Sequence, residues 1–389
     1  MTFLYIILAI IILPFFIKVI WVLIATCGQG RVEKEEKEIV RRANYLISKV
    51  VTSPEQLFNE MPKDIGSQFQ GEWAIYTCSM TSIALANMAT LYPERREMAK
   101  ANMERIIDIA LSPKIREYDR ARWHEDPLSS LNGDNSHMSY LSLLAWMMGR
   151  YKQIGGGSKF DILYHPICEA LHRRMLQSPS LNLLTYPGDN IYLPDMLVAI
   201  VALYDYSCLN DGKYRSAVDR WLQKARTEWI DQKTGLLASY LAEYGNDVRI
   251  VLRVVGSFSA LSCYYLSLVD QGFAKEQYEC LKRCFKQEYP FTGIKEYYDQ
   301  KCLYQFDVDS GPIIFNLSPS GTAFAIGCAT SLGDRKFRKQ LLKTAEIAGS
   351  TITRNGKSHY LLSNYALVGE AVALAMRTSV PKNEEYGQL

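Results

Sequence analysis

The chain of 389 residues carries 44 lysines and arginines against 41 aspartates and glutamates, a net charge of +3. This balance excludes the strongly basic surface that nucleic-acid binding needs. Hydrophobic residues make up 48% of the chain and charged residues 22%, as in a globular protein. The nine cysteines are scattered, with no CxxC pair and no Cys/His cluster of zinc spacing, so they predict buried free thiols. Neither a metal nor another cofactor is expected.

Residues 3–26 form an almost purely apolar run that contains one charge, Lys18. A helix needs about 20 apolar residues to cross a bilayer, so the run predicts a single-pass membrane anchor within residues 1–30. No lysine or arginine precedes the run, whereas five follow it closely: Arg31, Lys34, Lys37, Arg41 and Arg42. By the positive-inside rule, this asymmetry favours a cytoplasmic location for the rest of the chain.

Beyond the anchor, two kinds of helical segment alternate. Six segments carry charges on one face and apolar residues at three-and-four spacing, as half-exposed helices do. Between them lie six segments that are apolar nearly all round and rich in alanine, serine and glycine, and such helices must be enclosed. The enclosed segments recur every 42 to 65 residues, counted between Cys78, Ser139, Asp195, Ser257, Thr322 and Asn364. A regular recurrence of this kind indicates a helical repeat architecture.

This alternation predicts an all-α fold, an (α/α)6 toroid in which six outer helices surround six inner ones. No Gly/Ser-rich linker divides the body. Residues 31–380 are therefore predicted to form one domain, followed by a flexible tail at residues 381–389. One segment, residues 248–255, has the sequence VRIVLRVV and is typical of a short β-hairpin arm or of a helix start.

In such a toroid all inner helices point the same way, and the loops that lead into them gather at one rim. Helix N-termini at this rim direct unpaired N–H groups towards the central cavity. These loops are rich in carboxylates, histidines and tyrosines, although the charged outer helices could carry such residues without desolvation. The residues predicted to be catalytic are His137, Asp189, Asp195 and Asp309. Those predicted to bind substrate are Glu72, Trp73, Tyr76, Asp134, Tyr186, Asn190, Tyr192, Arg253, Asp307 and His359.

Several of these side chains have a structural alternative. Asp134 and Asp195 stand where a helix N-cap is expected, and capping alone stabilises a helix by about 1 kcal/mol. Asp307 and Asp309 lie in the sequence FDVDSGP, which could shape a turn or hold a cation. Arg253 is expected to pair with a carboxylate, because a buried charge without a partner is unfavourable.

Three stretches resemble the linalool dehydratase/isomerase-like family of (α/α)6 toroids: NSHMSYLSLLAWMMG, YPGDNIYLPD before MLVAIVALYDY, and DVDSGP before a helix of small residues. The resemblance covers most of residues 65–378 and implies the toroid fold. It also implies a catalytic role for His137, which matches a histidine at the second inner helix of the family's reference enzyme. That enzyme flanks its loop into the third inner helix with two cysteines, which are missing here, and Asp195 stands about where the second would be. The toroid also resembles those of inverting glycosidases and uronyl epimerases.

The resemblance favours a membrane-anchored lyase or isomerase that uses general acid/base catalysis. Its substrate would be a small, hydroxylated and partly apolar molecule such as a terpenoid alcohol. Asp195 or Asp189 would protonate the leaving hydroxyl group, and His137 or Tyr192 would take a proton from the substrate. Other tyrosines would shield a cationic intermediate.

Two other functions fit the same residues. A glycan-processing hydrolase or epimerase would use Asp189 and Asp309 as acid and base, with Trp73 and the tyrosines stacked on sugar rings. In an inverting glycosidase such carboxyl groups lie about 6.5–9.5 Å apart. A non-catalytic scaffold would bind a partner at the rim, which predicts an open apolar patch instead of an enclosed set of carboxylates. The sequence contains no GxSxG, P-loop or HExxH motif, each of which indicates other chemistry.

Overall fold

The computed structural model describes residues 2–26, 32–245 and 247–380. The predicted tail at 381–389 and the end of the predicted anchor segment, at 27–30, lie outside the described residues. Fifteen α-helices occur in the described ranges: α1 (Thr2–Thr26), α2 (Val32–Val50), α3 (Pro54–Asn59), α4 (Ser67–Leu91), α5 (Arg96–Ala110), α6 (Pro113–Trp123), α7 (Met138–Gln153), α8 (Asp161–Gln177), α9 (Leu193–Leu209), α10 (Arg215–Glu228), α11 (Gly256–Val269), α12 (Gln271–Phe285), α13 (Pro319–Ser331), α14 (Arg335–Gly349) and α15 (Leu367–Arg377).

Short strands form four small antiparallel sheets. The strands are β1 (Ile191–Tyr192), β2 (Tyr240–Tyr244), β3 (Asp247–Val251), β4 (Lys286–Gln287), β5 (Gly293–Ile294), β6 (Tyr304–Asp307), β7 (Gly311–Ile314), β8 (Thr351–Arg354) and β9 (Lys357–Tyr360). The first three make one sheet, in which Leu241 lies between Ile191 and Ile250, and the others pair as successive hairpins. All four sheets lie in loops that lead into inner helices.

The inner helices are α4, α7, α9, α11, α13 and α15. Each contacts the next, and the ring closes because α15 also contacts α4. The outer helices α2, α5, α8, α10, α12 and α14 each pack against at least one inner helix. The predicted alternation of six outer and six inner helices is thereby confirmed.

Some elements differ from the sequence-based expectation. Helix α6 lies between a predicted outer helix and the next predicted inner helix, where the sequence pattern indicates no helix, and it buries Ile115, Tyr118 and Trp123 despite its many charges. A short helix with so few apolar positions shows no clear period in the sequence, and its contacts with α4 hold it in place. The β-like segment 248–255 supplies most of β3, which agrees with the hairpin alternative.

Small residues let the inner helices approach other parts of the chain closely. A Cβ atom at Gly256, the first residue of α11, would lie 1.8 Å from the backbone oxygen of Lys295. In α13, a Cβ atom at Gly327 would lie 2.4 Å from the sulfur of Met376 in α15. Any larger residue at Gly256 would have to displace backbone, so the enrichment in small residues follows from the packing of the ring.

A buried ion pair fixes the first outer helix to the last inner helix. In α2, Arg42 donates from Nη1 to Glu370 Oε1 of α15 at 2.6 Å, and neither side chain is accessible to water. Glu370 Oε2 accepts further hydrogen bonds from the backbone N–H of Tyr360 at 2.8 Å and from Ser363 Oγ at 2.6 Å. The pair stabilises the closed ring only while both charges are present, because Glu370 alone would be buried without a cation and Arg42 alone would keep only the partly exposed Glu38.

Helix α1 contains the predicted anchor sequence and contacts α14. Lys18 Nζ donates to the backbone oxygen of Ile347 at 3.0 Å and to Ser350 Oγ, both at the C-terminal end of α14. Elsewhere on α1 large apolar side chains are exposed: Tyr5, Ile6, Leu8, Ile10, Ile12, Leu13, Phe15, Phe16, Ile17, Ile20 and Trp21. Among the described residues, the helix that is long and apolar enough to cross a membrane is α4, but 83% of its apolar stretch is buried.

Candidate active site

The rim is the end of the ring at which the six inner helices begin and into which the long loops lead. Side chains near the start of several inner helices stay half-buried, whereas those further along are almost completely buried. On α4 these half-buried side chains are Glu72, Trp73 and Tyr76, on α9 Asp195, and on α11 Phe258. From this partial accessibility we infer that they line a shallow, water-accessible depression at the centre of the rim.

Glu72 keeps its proton at neutral pH. Burial, together with the negative charges of Asp195 and Asp309, raises the pKa of Glu72 to about 8. Tyr186 OH donates to Glu72 Oε2 at 2.9 Å, a hydrogen bond that opposes this rise without cancelling it. Glu72 is thus a carboxylic acid that can donate a proton at pH 7.

Asp195 and Asp309 complete a group of three carboxyl groups. Thr185 Oγ1 donates to Asp195 Oδ2 at 2.9 Å, while burial raises the pKa of Asp195 to about 6. Burial, reinforced by the charges of Asp307 and Asp195, raises the pKa of Asp309 to about 7. Asp309 is exposed to water by its accessible surface, although protein atoms lie around its carboxyl group densely enough to raise the pKa. At neutral pH the group therefore holds both protonated and ionised carboxyls.

Asp307 fixes the backbone turn that contains Asp309. Its Oδ1 atom accepts hydrogen bonds from the backbone N–H of Asp309 at 2.9 Å and of Ser310 at 2.8 Å. Such an Asx turn is the structural alternative that the sequence FDVDSGP left open. In this position Asp307 shapes the turn that carries Asp309 into the depression.

Aromatic side chains surround the three carboxyl groups. The hydroxyl groups of Tyr76 and Tyr265 lie 3.0 Å apart. The Tyr192 ring meets the Tyr240 ring edge to face at 5.0 Å between centroids, and Phe258 packs on Tyr240 at 5.6 Å. Burial, with repulsion from nearby carboxylates, raises the pKa of Tyr192 to about 12, so its hydroxyl group remains a hydrogen-bond donor. The depression thus combines ring faces with hydroxyl donors.

His137 lies behind the side chains that line the depression and does not reach it. The residue is fully buried and adopts a positive φ of 49°. Its Nδ1 atom lies 2.5 Å from Asp119 Oδ2, and its Nε2 atom lies 3.0 Å from Glu125 Oε1. A substrate in the depression therefore cannot reach His137 for the direct proton transfer that was predicted.

Hydrogen bonds link Asp119 to side chains that lie beside Tyr186, the hydrogen-bond partner of Glu72. Ser139 Oγ donates to Asp119 Oδ1 at 3.3 Å and lies 3.2 Å from the hydroxyl group of Tyr118. Tyr186 lies next to Ser139, and its hydroxyl group donates to Glu72 Oε2. His137 can therefore affect Glu72 by positioning these intervening groups.

Three predicted substrate-binding residues lie apart from the depression. Asp134 is exposed and pairs with Arg173 at 3.2 Å, so its charge is neutralised at the surface. Arg253 is exposed and pairs with Asp299 at 3.4 Å, as expected for an arginine near carboxylates. His359 stacks on Tyr45 of α2 with 4.1 Å between ring centroids. Asp134 and His359 thus contact outer helices, and Arg253 contacts a neighbouring rim loop, which sequence position alone does not reveal.

The loop 183–195 divides between the wall of the depression and its edge. Tyr186 is buried, and Arg122 covers its ring at 4.8 Å. Asp189 is exposed, Asn190 is half-buried, and the charge of Asp189 contributes to the raised pKa of Tyr192. Asp189 is therefore placed at the edge, where it can contact a bound molecule but is not shielded from water.

Several residues of the site were not among the predicted ones: Tyr118, Asp119, Thr185, Tyr240, Phe258 and Tyr265. Tyr240 and Thr185 lie in rim loops, so the same reasoning could have included them. Asp119 and Tyr118 lie on the unpredicted helix α6, which no loop-based search would include. No group of three His, Cys, Asp or Glu side chains close enough to hold a metal ion occurs in the described part of the chain.

Replacement of Glu72 with glutamine is expected to stabilise the fold at alkaline pH. Because the folded-state pKa of Glu72 is raised, the wild type is most stable below the unfolded-state value and loses stability as pH rises to about 8. Glutamine carries no charge and can still accept from Tyr186. The free energy of unfolding, measured with urea, should exceed the wild-type value by at most about 5 kcal/mol at about pH 9, the equivalent of the pKa shift, and by less than about 1 kcal/mol near pH 5. A pH-independent difference, or one shared by exposed Asp134→Asn, would contradict this expectation.

No protein-family profile and no curated protein matches this chain. Solved structures share its fold. An unsaturated glucuronyl hydrolase specific for heparin matches with a TM-score of 0.58 and 12% identity, over 90% of this chain and 96% of its own. An inactive variant of the α-1,6-mannanase GH76A of Salegentibacter sp. HEL1_6, in complex with α-1,6-mannotetrose, matches with a TM-score of 0.54 and 10% identity, over 88% of this chain and 98% of its own. At these identities the likeness establishes the fold.

These structures correct one sequence-based expectation. A lyase or isomerase acting on a terpenoid alcohol is contradicted, because the solved structures found to share the fold include, by name, a glucuronyl hydrolase and a mannanase. The three short stretches suit a toroid rim, but they do not determine which substrate the rim binds. The resemblance to the linalool dehydratase/isomerase-like family stays a prediction. Of the functions considered from the sequence, glycan processing is the one that these findings favour.

Proposed function

We propose that this chain is a glycan-processing hydrolase that cleaves a glycosidic bond by general acid/base catalysis. Three carboxyl groups with raised pKa values, Glu72, Asp195 and Asp309, share a depression lined by aromatic rings, and this observation carries the proposal. Glycosidases use one protonated and one ionised carboxyl group on either side of the scissile bond. Two proteins of known structure that share the fold are also glycan-processing enzymes by name.

The protonation states assign the roles. Glu72 has a pKa of about 8 and donates its proton to the glycosidic oxygen as the bond from the anomeric carbon to that oxygen breaks. Asp195, with a pKa of about 6, is ionised at neutral pH and accepts a proton from the water that attacks the anomeric carbon. Asp309 lies close enough to raise the pKa of Glu72 and, when ionised, stabilises positive charge that develops on the sugar ring.

The rate of hydrolysis is expected to depend on pH as a bell-shaped curve. Activity should rise as Asp195 ionises near pH 6 and fall as Glu72 loses its proton near pH 8, so kcat/KM should peak near neutral pH. The three carboxyls repel one another, so the two limbs report the group as a whole. In Glu72→Gln the remaining activity should lose the alkaline limb. An alkaline limb that persists in this variant would reject Glu72 as the acid.

The direct test is release of new reducing ends from a panel of oligosaccharides. The panel contains matched neutral hexose and uronic acid oligomers, and we expect the neutral oligomers to be cleaved faster. Carboxylates predominate around the depression, and Arg122 is the cation that acts on Glu72, so an anionic sugar would be repelled. Asp195→Asn serves as the inactive control and Asp134→Asn as the matched surface control. Absence of release from every glycan would reject the proposed function.

We also propose that α1 anchors the chain in a membrane as a single N-terminal helix. Its large exposed apolar side chains, from Tyr5 to Trp21, would be unfavourable in water and favourable in lipid. The basic residues that follow the helix favour a cytoplasmic position for the ring.

A further inference from the structure

Exposed apolar side chains are concentrated in one sector of the rim. Outside α1, thirteen of the seventeen large apolar side chains that are exposed in the described residues lie on the loops 229–255, 286–318 and 350–366. They are Tyr244, Ile250, Leu252, Tyr289, Leu303, Tyr304, Phe306, Ile314, Phe315, Ile352, Leu361, Leu362 and Tyr365. These loops lead into α11, α13 and α15, which are consecutive in the ring. The remaining rim loops, into α4, α7 and α9, carry none of them among their described residues.

Helix α1 leaves the body at this same apolar sector. Lys18 binds the C-terminal end of α14, an outer helix that packs on α13 and leads into the loop 350–366. After Lys18 the chain must return to Val32, where α2 begins at the opposite end of the ring. The part of α1 before Lys18 therefore extends away from the rim, and its described side chains from Tyr5 to Ile17 are exposed.

The extended part of α1 is long enough to enter a bilayer deeply. The 16 residues from Thr2 to Ile17 span roughly 24 Å at the rise of an α-helix, compared with a hydrocarbon core of about 30 Å. With α1 inserted in this way, the apolar loops of the rim lie at the membrane surface. The turn between β8 and β9 adds the exposed cations Arg354 and Lys357, which have no acidic partner among the described residues and suit anionic headgroups.

We infer that the apolar sector of the rim rests on the bilayer that holds α1, so that the substrate glycan is carried by a lipid of the same membrane. The bilayer contact depends on α1 and the rim loops alone, whereas the identity of the substrate rests on the proposed function. A glycan attached to a membrane lipid would meet the depression at the height of the headgroups. Association with a bilayer also explains why these large apolar side chains are exposed beside a site that binds a polar molecule.

The bilayer contact can be tested by fluorescence quenching in the full chain. The protein is reconstituted in phosphatidylcholine vesicles that contain a minor fraction of phosphatidylglycerol and brominated lipid. A fluorescent non-canonical residue replaces Leu303 or Leu361 in the rim sector, or exposed Ile162 or Leu209 near the opposite end of the ring as a matched control. We expect brominated lipid to quench the rim probes and not the control probes. Equal quenching at both ends, or no quenching at the rim, would overturn the proposal.

The substrate class requires a second measurement. Hydrolysis is compared for one oligosaccharide free in solution and for the same oligosaccharide linked to a lipid in the vesicles. Combined replacement of Leu252, Leu303 and Leu361 by serine, one exposed leucine in each of the three loops, should lower the rate on the lipid-linked form about tenfold and leave the rate on the free form unchanged. Combined Ile162→Ser and Leu209→Ser should change neither rate.

The two proposals fail differently. No hydrolysis of either form, with quenching at the rim intact, rejects the glycan-processing function but not the bilayer contact. Equal loss on both forms in the rim variant rejects the lipid-borne substrate.

Discussion

Replacement of Asp195 by asparagine is expected to lower kcat/KM for glycan hydrolysis by about 10²- to 10⁴-fold, the range that a general base contributes. Asparagine has the same shape, and its amide oxygen can still accept the hydrogen bond from Thr185 Oγ1. The fold and the aromatic lining should therefore be preserved, while the group that takes a proton from water is lost. Initial rates on the best oligosaccharide of the panel provide the measurement.

The same variant also tests the role of Glu72. Loss of the Asp195 charge removes one of the causes that raise the pKa of Glu72, so the alkaline limb of the residual activity should move to lower pH. The matched variant Asp134→Asn removes an exposed carboxylate that pairs with Arg173 and should keep full activity. If Asp195→Asn retains activity within a factor of a few, Asp195 is not the base.

Replacement of Glu370 by glutamine is expected to lower the free energy of unfolding by about 3 kcal/mol, because the buried Arg42 loses its charge partner. Glu38 contacts the same guanidinium at 3.0 Å but is partly exposed, so it compensates only in part. Urea unfolding of the full chain in detergent micelles provides the measurement. The surface pair between Arg173 and Asp134 is the matched control, and Asp134→Ala should change stability by less than about 1 kcal/mol.

A double variant separates the charge effect from simple loss of packing. When Arg42 and Glu370 are both replaced by methionine, no charge remains buried at this position. The double variant should then be more stable than Glu370→Gln, because removal of both partners avoids an uncompensated charge. A double variant less stable than the single one would show that the ion pair contributes net stability.

The architecture could be predicted from the sequence because it depends on local periodicity. The inner segments, such as MLVAIVALYDY at residues 196–206, are apolar all round, and only an enclosed helix satisfies such a composition. Helix α6 and its Asp119 escaped prediction because its burial depends on contacts with α4, which lies earlier in the chain. Apart from the arm at residues 248–255, the rim hairpins escaped for a related reason, since short strands in long loops are fixed by their pairing partners more than by their own sequence.

The location of the site could be predicted from the sequence, but the chemical roles of its residues could be predicted only in part. Asp195 and Asp309 were expected to be catalytic because they stand beside the starts of inner helices, and the structure places both in one depression. Glu72 was expected only to bind substrate, because no residue near it in the sequence indicates that its pKa is raised. The raised pKa depends on burial and on two carboxylates, Asp195 and Asp309, that are far away in the sequence. His137 was expected to act directly, but its burial between Asp119 and Glu125 follows from the same unpredicted helix.

Closure of the ring by contact between α4 and α15 has a consequence during synthesis. The two helices are separated by almost the whole chain, so one flank of α4 has no partner until the last helix has emerged from the ribosome. During this interval an apolar helix of 25 residues, long enough to cross a membrane, is produced just after a first helix with lipid-seeking side chains. Retention of α4 in the aqueous phase during translation is therefore a requirement for building the depression that contains Glu72.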